Sequence, residues 1–238
     1  MRSQFVNMAA HELKAPLSAV QGYLELIVEK ALGDDQSVYD SYLHRSLERT
    51  KALVSLINDL LNISRMEAGT TRREIRDLDV GELLKKRLNS FEHEIQKHQL
   101  NLHLNINNDL TILADHDDMM RLFGQIIGNA IKYNKPGGEI NITAKRKAHY
   151  VRIDVQDTGI GLTEEEKSRL FEEFFRAKNK LTRSITGTGL GLTIAKRIVD
   201  AYAGRIEVES EFEHGSTFTV YLPARETNES NEKQHEIE

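Results

Sequence analysis

The sequence contains no cysteine and no tryptophan, and only three of its 238 residues are proline. The lack of cysteine excludes disulfide scaffolds, zinc sites built on thiolates and thiol nucleophiles. No stretch approaches the roughly 18 apolar residues of a membrane-spanning helix, and the N-terminus lacks the apolar segment and cleavage site of a signal peptide. We therefore expect this chain to be cytoplasmic, without membrane contact of its own.

A strong charge of one sign is also missing. The formal net charge is −5, which gives no indication of nucleic-acid binding. Much of the negative excess lies in residues 226–238, where five acidic side chains accompany a single basic one. Because that segment has one apolar residue, we expect it to be a disordered acidic tail.

Residues 1–70 carry two narrow apolar stripes at helical spacing. The first stripe is Leu13, Leu17, Val20, Leu24 and Ile27, and the second is Leu43, Leu47, Thr50, Val54, Ile57, Leu61 and Ser64. Gly33 separates the stripes, Ser37 with Asp40 indicates an acidic variant of the capping box, and Gly69 is placed to end the second helix. The pattern predicts an antiparallel helical hairpin. Since one hairpin cannot cover both stripes, we expect a homodimeric four-helix bundle.

After a short connection at 71–75, residues 76–225 mix the two periodicities. Helices are predicted over 80–98, 117–133 and 190–202, and strands over 100–106, 111–114, 140–147, 151–156, 205–211 and 216–222. The closely spaced pair at 140–147 and 151–156 favours a hairpin. Helices and antiparallel strands in this mixture predict an α+β two-layer sandwich.

His11 lies on the side of the first helix opposite its apolar stripe, so we expect the imidazole to face solvent. An exposed histidine on a helix is most often an ordinary surface residue. Here Glu12 follows directly, and Pro16 removes a backbone donor and should loosen the helix. A carboxylate beside an imidazole can keep one ring nitrogen protonated and leave the other as a nucleophile.

A second cluster lies in the string RLFGQIIGNAIKYNKPGG. Gln125, Asn129 and Lys132 share one helical face, and Tyr133 is adjacent. Such a polar stripe is more often a solvated face. Asn129, however, stands among apolar and small residues, where an amide needs a specific partner.

Two glycine-rich strings follow. In QDTGIGL, Asp157 ends a strand ahead of Gly159 and Gly161, a pattern that is also common in plain turns. In GTGLGL, Gly187, Gly189 and Gly191 open a helix, whose amides and dipole could meet a polyphosphate. The second string lacks the lysine of a Walker loop.

The segment RAKNKLTRSIT, directly before GTGLGL, has four basic side chains and no acidic one. A solvated loop is one interpretation. The other is a lid over phosphates, with Arg176, Lys178, Lys180 and Arg183 available to neutralise their charge.

Taken in order, these strings resemble the H, N, G1, F and G2 boxes of bacterial two-component sensor histidine kinases, over residues 3 to about 224. The resemblance implies a dimerisation and histidine-phosphotransfer hairpin at 1–70, a hinge at 71–75 and an ATP-binding sandwich of the gyrase and Hsp90 type at 76–225. It also implies ATP and Mg²⁺ as cofactors, and a response regulator as partner.

The family's residue roles carry over by position. His11 is implied to be the phosphoacceptor and Glu12 the general base. Asn129 is implied to bind the magnesium ion, with Gln125 standing where the family has its first asparagine. Lys132 and Tyr133 then contact phosphate and nucleotide.

In the G1 box, Asp157 is implied to accept a hydrogen bond from the adenine amine. Arg176 of the F box approaches the γ-phosphate, and the string GSTFTVYLP supplies a hydroxyl, Ser216 or Thr217, that assists adenine binding through water. The glycines Gly159, Gly161, Gly187, Gly189 and Gly191 line the nucleotide.

Ala15 departs from the family, which often has Thr or Asn at that position to orient water for dephosphorylating the regulator. A methyl group cannot do this, so we expect weak phosphatase activity. The chain starts at the first helix with no sensor, which suggests the cytosolic fragment of a longer receptor.

Two other classes of function stay open on the residues. One is an ATP-driven clamp of the gyrase or Hsp90 type, but Gln125 cannot serve as the base that activates water. The other is a dimeric scaffold that binds nucleotide without transferring phosphate. An acid-labile, alkali-stable phosphate on the chain would separate both from a kinase.

Overall fold

The computed structural model describes residues 2–33, 35–70, 72–177, 182, 185 and 187–226. The chain divides into two compact units. The first comprises Met1–Thr71 with Glu172–Arg176 and Thr186–Gly191, and the second comprises the remainder. Lys178, Lys180 and Arg183 of the predicted lid, and the predicted tail beyond residue 226, lie outside the described residues.

The first unit is built on a helical hairpin of α1 (Arg2–Val28) and α2 (Gln36–Glu67). The assigned helix α1 continues through Pro16. Helix α2 is capped by Asp35, whose carboxylate accepts a hydrogen bond from the Ser37 backbone N–H at 2.9 Å. The predicted cap at Ser37 was therefore wrong, because an aspartate two residues earlier has the extended backbone that a cap requires. Gly69, at φ +63°, follows the last turn as predicted.

The apolar stripes of this hairpin are mostly exposed. Large exposed side chains at stripe positions are Leu17, Leu24, Leu43, Leu47, Val54, Ile57 and Leu61. On α2 only Ser46, Leu56 and Ile63 are buried. No helix within the described ranges is long and apolar enough to cross a bilayer.

The second unit contains a five-stranded sheet, a two-stranded sheet and a layer of helices. The strands are β1 (Arg76–Asp79), β2 (Asn101–Ile106), β3 (Thr111–Ala114), β4 (Glu139–Lys147), β5 (Tyr150–Asp157), β6 (Arg205–Glu211) and β7 (Gly215–Pro223). The helices are α3 (Val80–Asn89), α4 (Glu92–Lys97), α5 (His116–Lys132), α6 (Glu164–Arg169) and α7 (Gly191–Ala201). The large sheet has the order β2-β4-β5-β7-β6, and β1 pairs with β3.

The core of this unit lies between one face of the large sheet and the helices. Alternate residues of the central strands are buried, as Ile140, Ile142 and Ala144 show on β4. Helix α5 contributes the largest buried set, including Phe123 and Ile127. This is the helical hairpin followed by an α+β two-layer sandwich that the sequence predicts.

The structure differs from the sequence prediction in three respects. Strand β2 pairs with β4 in parallel, so the sheet is mixed rather than wholly antiparallel. The predicted helix over 80–98 is broken into α3 and α4 at Ser90, whose hydroxyl donates to the Arg87 carbonyl oxygen at 2.6 Å and so competes with the helical pattern. Strand β1 and helix α6 were not predicted, although Thr163 and Glu166 form a complete capping box ahead of α6.

Candidate functional site

His11 is presented outward from α1. Its side chain is 81% exposed, as its helical position predicts, and its Nδ1 atom lies 3.4 Å from Oε1 of Glu12. Because a carboxylate only accepts, this geometry favours a proton on Nδ1. The other ring nitrogen, Nε2, is then unprotonated and can act as a nucleophile.

Ala15 is exposed and lies four residues after His11, on the same face of α1. Its methyl group offers neither a donor nor an acceptor beside the imidazole. Any water that is to be held here must find its hydrogen bonds elsewhere.

The first unit also contains the segments that carry Arg176, Gly187, Gly189 and Gly191. Gly189 has φ +72°, and a Cβ at this position would collide with the backbone of Phe174. Only glycine combines that backbone angle with such a close approach.

Between the first two of these glycines, the Thr188 hydroxyl donates to Oδ2 of Asp59 on α2 at 2.9 Å. The same hydroxyl accepts the backbone N–H of Leu190 at 3.2 Å. Burial raises the pKa of Asp59, and the hydrogen bond from Thr188 opposes that rise. The sequence analysis did not single out this pair, which is separated by 129 positions.

In the second unit, α5 carries the second cluster. The helix begins at the N-cap Asp115, whose carboxylate accepts the backbone N–H groups of Asp117 and Asp118. Gln125, Asn129, Lys132 and Tyr133 are half-buried, and the Lys132 ammonium lies 5.1 Å from the centroid of the Tyr133 ring. These side chains lie along the flank and at the C-terminal end of the helix.

The glycine turn after β5 lies directly against that end of α5. Ile160 donates its backbone N–H to the carbonyl oxygen of Tyr133 at 3.1 Å. A Cβ on Gly159 would collide with the same carbonyl oxygen, and a Cβ on Gly161 would collide with that of Glu211. Both glycines are therefore required by packing that the sequence pattern could not show.

Asp157 is the last residue of β5, directly before this turn, and is 6% exposed. Its Oδ1 atom accepts the backbone N–H of Gly159 at 2.8 Å, and Ser216 is its register partner on β7. Gly215, at φ +101°, allows the backbone of β7 to approach Asp157, because a Cβ there would collide with the Asp157 carbonyl.

Burial raises the pKa of Asp157 to about 6, and backbone hydrogen bonds from Gly159 and Ser216 oppose that rise. A buried carboxylate held only by backbone donors among the described residues is costly to keep ionised. Such a group is typical of a site that recognises a ligand.

The two hydroxyl residues predicted on the last strand occupy different positions relative to Asp157. Ser216 is 9% exposed and its Oγ lies 2.9 Å from that of Ser210. Thr217 is half-buried and is the register partner of Gln156. Of the two predicted hydroxyls, Ser216 is therefore the one paired with Asp157.

Two polar residues near the turn were missed by the sequence analysis. The Thr158 hydroxyl accepts the Glu139 backbone N–H at 2.9 Å and donates to the Asn134 side chain at 3.3 Å. Asn134 in turn donates to the Glu139 carbonyl oxygen at 3.0 Å. In the sequence, the only signal for these residues was their place: Asn134 directly follows Tyr133, and Thr158 directly follows Asp157.

The structure thus brings together, in the second unit, the end of α5, the glycine turn with Asp157 and the start of β7. It places His11, Glu12, Arg176 and the second glycine string in the first unit. Across the part of the chain that the structure describes, no three His, Asp or Glu side chains are grouped as a metal site.

Comparison with known families assigns both parts of the chain. Residues 1–69 match the His Kinase A (phospho-acceptor) domain. Residues 114–226 match the histidine kinase-, DNA gyrase B- and HSP90-like ATPase family. This chain belongs to the sensor histidine kinases. It contains the catalytic core of that family, a phosphoacceptor hairpin followed by an ATPase domain.

Curated relatives agree with this assignment. The kinase core is 32% identical to the circadian input-output histidine kinase CikA of Synechococcus elongatus over 93% of the chain and 30% of that protein. It is 33% identical to the sensor protein SrrB of Staphylococcus aureus over 95% of the chain and 39% of that protein. The chain thus spans about a third of the length of these relatives.

Solved structures share the fold. The histidine kinase AdeS of Acinetobacter baumannii matches 91% of the kinase core with a TM-score of 0.74 at 24% identity, and 98% of that chain is covered. The histidine kinase ThkA, solved in complex with the response regulator protein TrrA, matches 93% with a TM-score of 0.74 at 25% identity, and 61% of that chain is covered.

Proposed function

We propose that this kinase core transfers the γ-phosphoryl group of ATP to His11 and then to an aspartate of a response regulator in two-component signalling. The observation that carries the proposal is a pair of features in one chain. An outward imidazole is held by an adjacent carboxylate, and a buried carboxylate is enclosed by obligatory glycines.

In the first step, Nε2 of His11 attacks the γ-phosphorus, and the bond from that phosphorus to the bridging oxygen of ADP breaks. The proton on Nδ1 passes towards Glu12 as the ring becomes phosphorylated, and the 3.4 Å separation already directs that proton to the carboxylate. Phosphoryl transfer needs little further covalent chemistry, so the remaining residues act by positioning and by charge.

The nucleotide is proposed to bind in the second unit around Asp157. A buried acceptor fits the exocyclic amine of adenine, which is a donor, and Gly159 and Gly161 let backbone approach the base. Ser216 or Thr217 would hold a water between the strand and the base. The burial of Asp157 and the close packing at Gly159 and Gly161 support this proposal.

The remaining predicted contacts serve the phosphates. Lys132 and Arg176 would offset negative charge, with Tyr133 beside the nucleotide. Gly187, Gly189 and Gly191 precede and open α7, where backbone amides favour an anion. We assign these roles by position in the motifs.

Mg²⁺ is proposed to be held by Asn129, with Gln125 as a second amide on the same flank of α5. Magnesium prefers oxygen ligands and often keeps waters and substrate phosphates in its shell, so one protein amide oxygen is a sufficient anchor. When bound, the ion would neutralise phosphate charge during transfer.

A second copy of the chain is the proposed partner of residues 1–70. The exposed stripes on both helices, such as Leu24 at 43% and Leu47 at 52%, leave apolar surface that a four-helix bundle would cover. The response regulator is proposed as phosphoryl acceptor, since ThkA was solved with one. The connection at 71–75 is proposed to contain the hinge, residues 76–225 to be the ATP-binding domain, and the location to be cytoplasmic.

Phosphatase activity towards the regulator is proposed to be weak. The exposed methyl of Ala15 lies where a water would need to be oriented. Replacing Ala15 by Thr should raise the rate at which the kinase core dephosphorylates the regulator in the presence of ADP. An unchanged rate, or a fast rate already in the parent chain, would contradict this proposal.

The central experiment is incubation of the kinase core with Mg²⁺ and γ-labelled ATP. We expect an acid-labile, alkali-stable phosphate that is lost in His11→Ala while nucleotide binding is retained. The matched control is His44→Ala, which removes another exposed histidine from the same hairpin. Label that persists in His11→Ala, or that never forms, would overturn the proposed function.

A further inference from the structure

A hydrogen-bonded cluster in the second unit joins three distant parts of the chain. Arg73 donates from Nε to Oδ2 of Asp118 at 2.7 Å, and the Tyr202 hydroxyl donates to the same oxygen at 3.0 Å. The Tyr202 oxygen accepts the backbone N–H of Asp115 at 3.0 Å, and the Arg73 guanidinium lies 5.6 Å from the centre of its ring. Asp118 is 2% exposed.

This cluster holds the segment that directly follows the hairpin, at Arg73 and Glu74, against the second unit. Besides Arg73, the backbone N–H of Glu74 donates to Oδ2 of Asp115 at 2.8 Å. On the other side, the backbone N–H of Thr70 donates to the carbonyl oxygen of Arg65 and so stays with α2. Up to residue 70, the chain is therefore hydrogen-bonded to the hairpin. From residue 73 onward, it is hydrogen-bonded to the second unit.

The fastening points are the far ends of two helices that carry nucleotide motifs. Asp118 is in the first turn of α5, eleven residues before Asn129, and Tyr202 follows α7, eleven residues after Gly191. At about 1.5 Å per residue, each helix extends roughly 16 Å from the cluster to its motif.

We propose that Arg73, Asp118 and Tyr202 are positioning residues for the phosphoryl transfer to His11, because they confine the joint between the hairpin and the ATP-binding part to residues 71–72. This inference rests on the proposed function. A loosened cluster would let the joint extend into 73–75, so bound ATP would reach the productive geometry less often.

A purely structural role makes a different prediction. A carboxylate that is shielded from solvent and held by side-chain donors stabilises the fold wherever it occurs. The same unit offers such a case at Asp154, which is half-buried and accepts hydrogen bonds from Thr143, Arg152 and Thr219. The Thr219 hydroxyl donates to Asp154 at 2.7 Å, and Thr219 is 7% exposed. Asp154 lies on β5 and has no bond to the connection at 70–75 among the hydrogen bonds of the described residues.

The test compares Tyr202→Phe with Thr219→Val, since each removes one hydroxyl donor from a carboxylate of the same unit. We expect Tyr202→Phe to lower kcat for autophosphorylation on the order of 10-fold, because small misplacements cost large factors in rate. The KM and Kd for Mg·ATP should stay within about twofold. Thr219→Val should lose a similar amount of thermal stability. Its kcat, KM and Kd should nevertheless stay near those of the parent chain.

Arg73 supplies a second, partly exposed position in case Tyr202→Phe folds poorly. Arg73→Gln should reduce kcat in the same way, and Arg73→Lys, which keeps a charge opposite Asp118, should recover part of it. Equal effects of Tyr202→Phe and Thr219→Val, or a loss of nucleotide affinity that matches the loss of rate, would overturn the inference. Absence of phosphohistidine in the parent chain would instead overturn the proposed function.

Discussion

The two units of this kinase core bury their apolar residues to very different degrees. The hairpin exposes most of its stripe residues, and α2 buries only three side chains over 32 residues. In the second unit, α5 alone buries nine of its 17 residues. The second unit buries its own apolar core, whereas the hairpin leaves exposed the apolar surface that the proposed four-helix bundle would cover.

This difference separates two ways of placing a reactive group. In its proposed role as the adenine acceptor, Asp157 benefits from a closed environment, because burial excludes water and the backbone N–H of Gly159 orients its carboxylate. In its proposed role as the nucleophile, His11 benefits from the reverse, since the nucleotide and then the regulator would have to reach it. Substitutions in the closed core are therefore expected to have the largest effects. Substitutions on the hairpin surface and of single carboxylates are expected to have smaller ones.

The strongest test of the closed core is Phe123→Ala. Phe123 is 1% exposed, and truncating such a side chain costs about 3 to 5 kcal/mol of unfolding free energy. Chemical denaturation should show an earlier transition for the second unit and loss of nucleotide binding at 25 °C. A change below about 1 kcal/mol would mean that the core is not closed around α5.

The exposed stripe predicts a change in oligomeric state. Leu24→Glu should weaken the dimer about 100-fold, because a charge would be buried in the bundle without a partner. Sedimentation at a series of concentrations measures this. The matched control is Leu104→Glu on β2, where the leucine is 45% exposed against 43% for Leu24. A similar effect of both changes would contradict a dimer through the hairpin.

Asp157→Asn should separate stability from binding. The pKa of Asp157 is raised to about 6, so the ionised form destabilises the folded state at neutral pH. At pH 7 we expect the variant to be about 1 to 3 kcal/mol more stable while losing adenine nucleotide binding. Thermal unfolding and calorimetric titration measure the two effects.

The stability gained by Asp157→Asn should depend on pH in one direction. Below the unfolded pKa near 3.8 the carboxyl is protonated in both states, so the stability difference should vanish. It should grow as pH rises from about 4 to about 6 and then stay constant. ATP affinity of the parent chain should fall as pH drops through 6, because a protonated carboxyl is a weaker acceptor. A stability gain that persists at pH 3.5 would contradict this account.

The smallest effect is expected at Asp59 in the first unit. Burial raises its pKa, so Asp59→Asn should stabilise the folded chain slightly at pH 7 while still accepting the Thr188 hydroxyl. We expect a gain smaller than the roughly 1 kcal/mol that single substitutions typically change. Differential scanning calorimetry measures it, and a clear loss of stability would show that the negative charge itself is needed.

Much of the fold was predictable because its signals are local. The strand at 111–114 and the strand at 205–211 have the predicted bounds. The parallel pairing of β2 with β4 was not predictable, because it depends on a crossover through β3 and α5 rather than on either strand's own pattern. The small strand β1, with the sequence Arg-Asp-Leu-Asp, has too little apolar periodicity to be recognised alone.

The candidate site divides in the same way. His11, Asn129 and Asp157 could be named from residue type, spacing and motif order, and their roles stay proposals. The Arg73, Asp118 and Tyr202 cluster could not be found, because its members are separated by 45 and 84 positions and none stands in a recognisable motif.

The sequence by itself determined the kinase family, the two-part organisation and the outward direction of His11, since motif order and helical phase are properties of the chain alone. Only the tertiary structure decided which glycines are obligatory, how far Asp157 is buried and where the connection after the hairpin is fastened. Each of these depends on atoms brought together from distant positions, such as the Tyr133 carbonyl beside Gly159. Their energies come from burial and close packing, which a linear pattern does not contain.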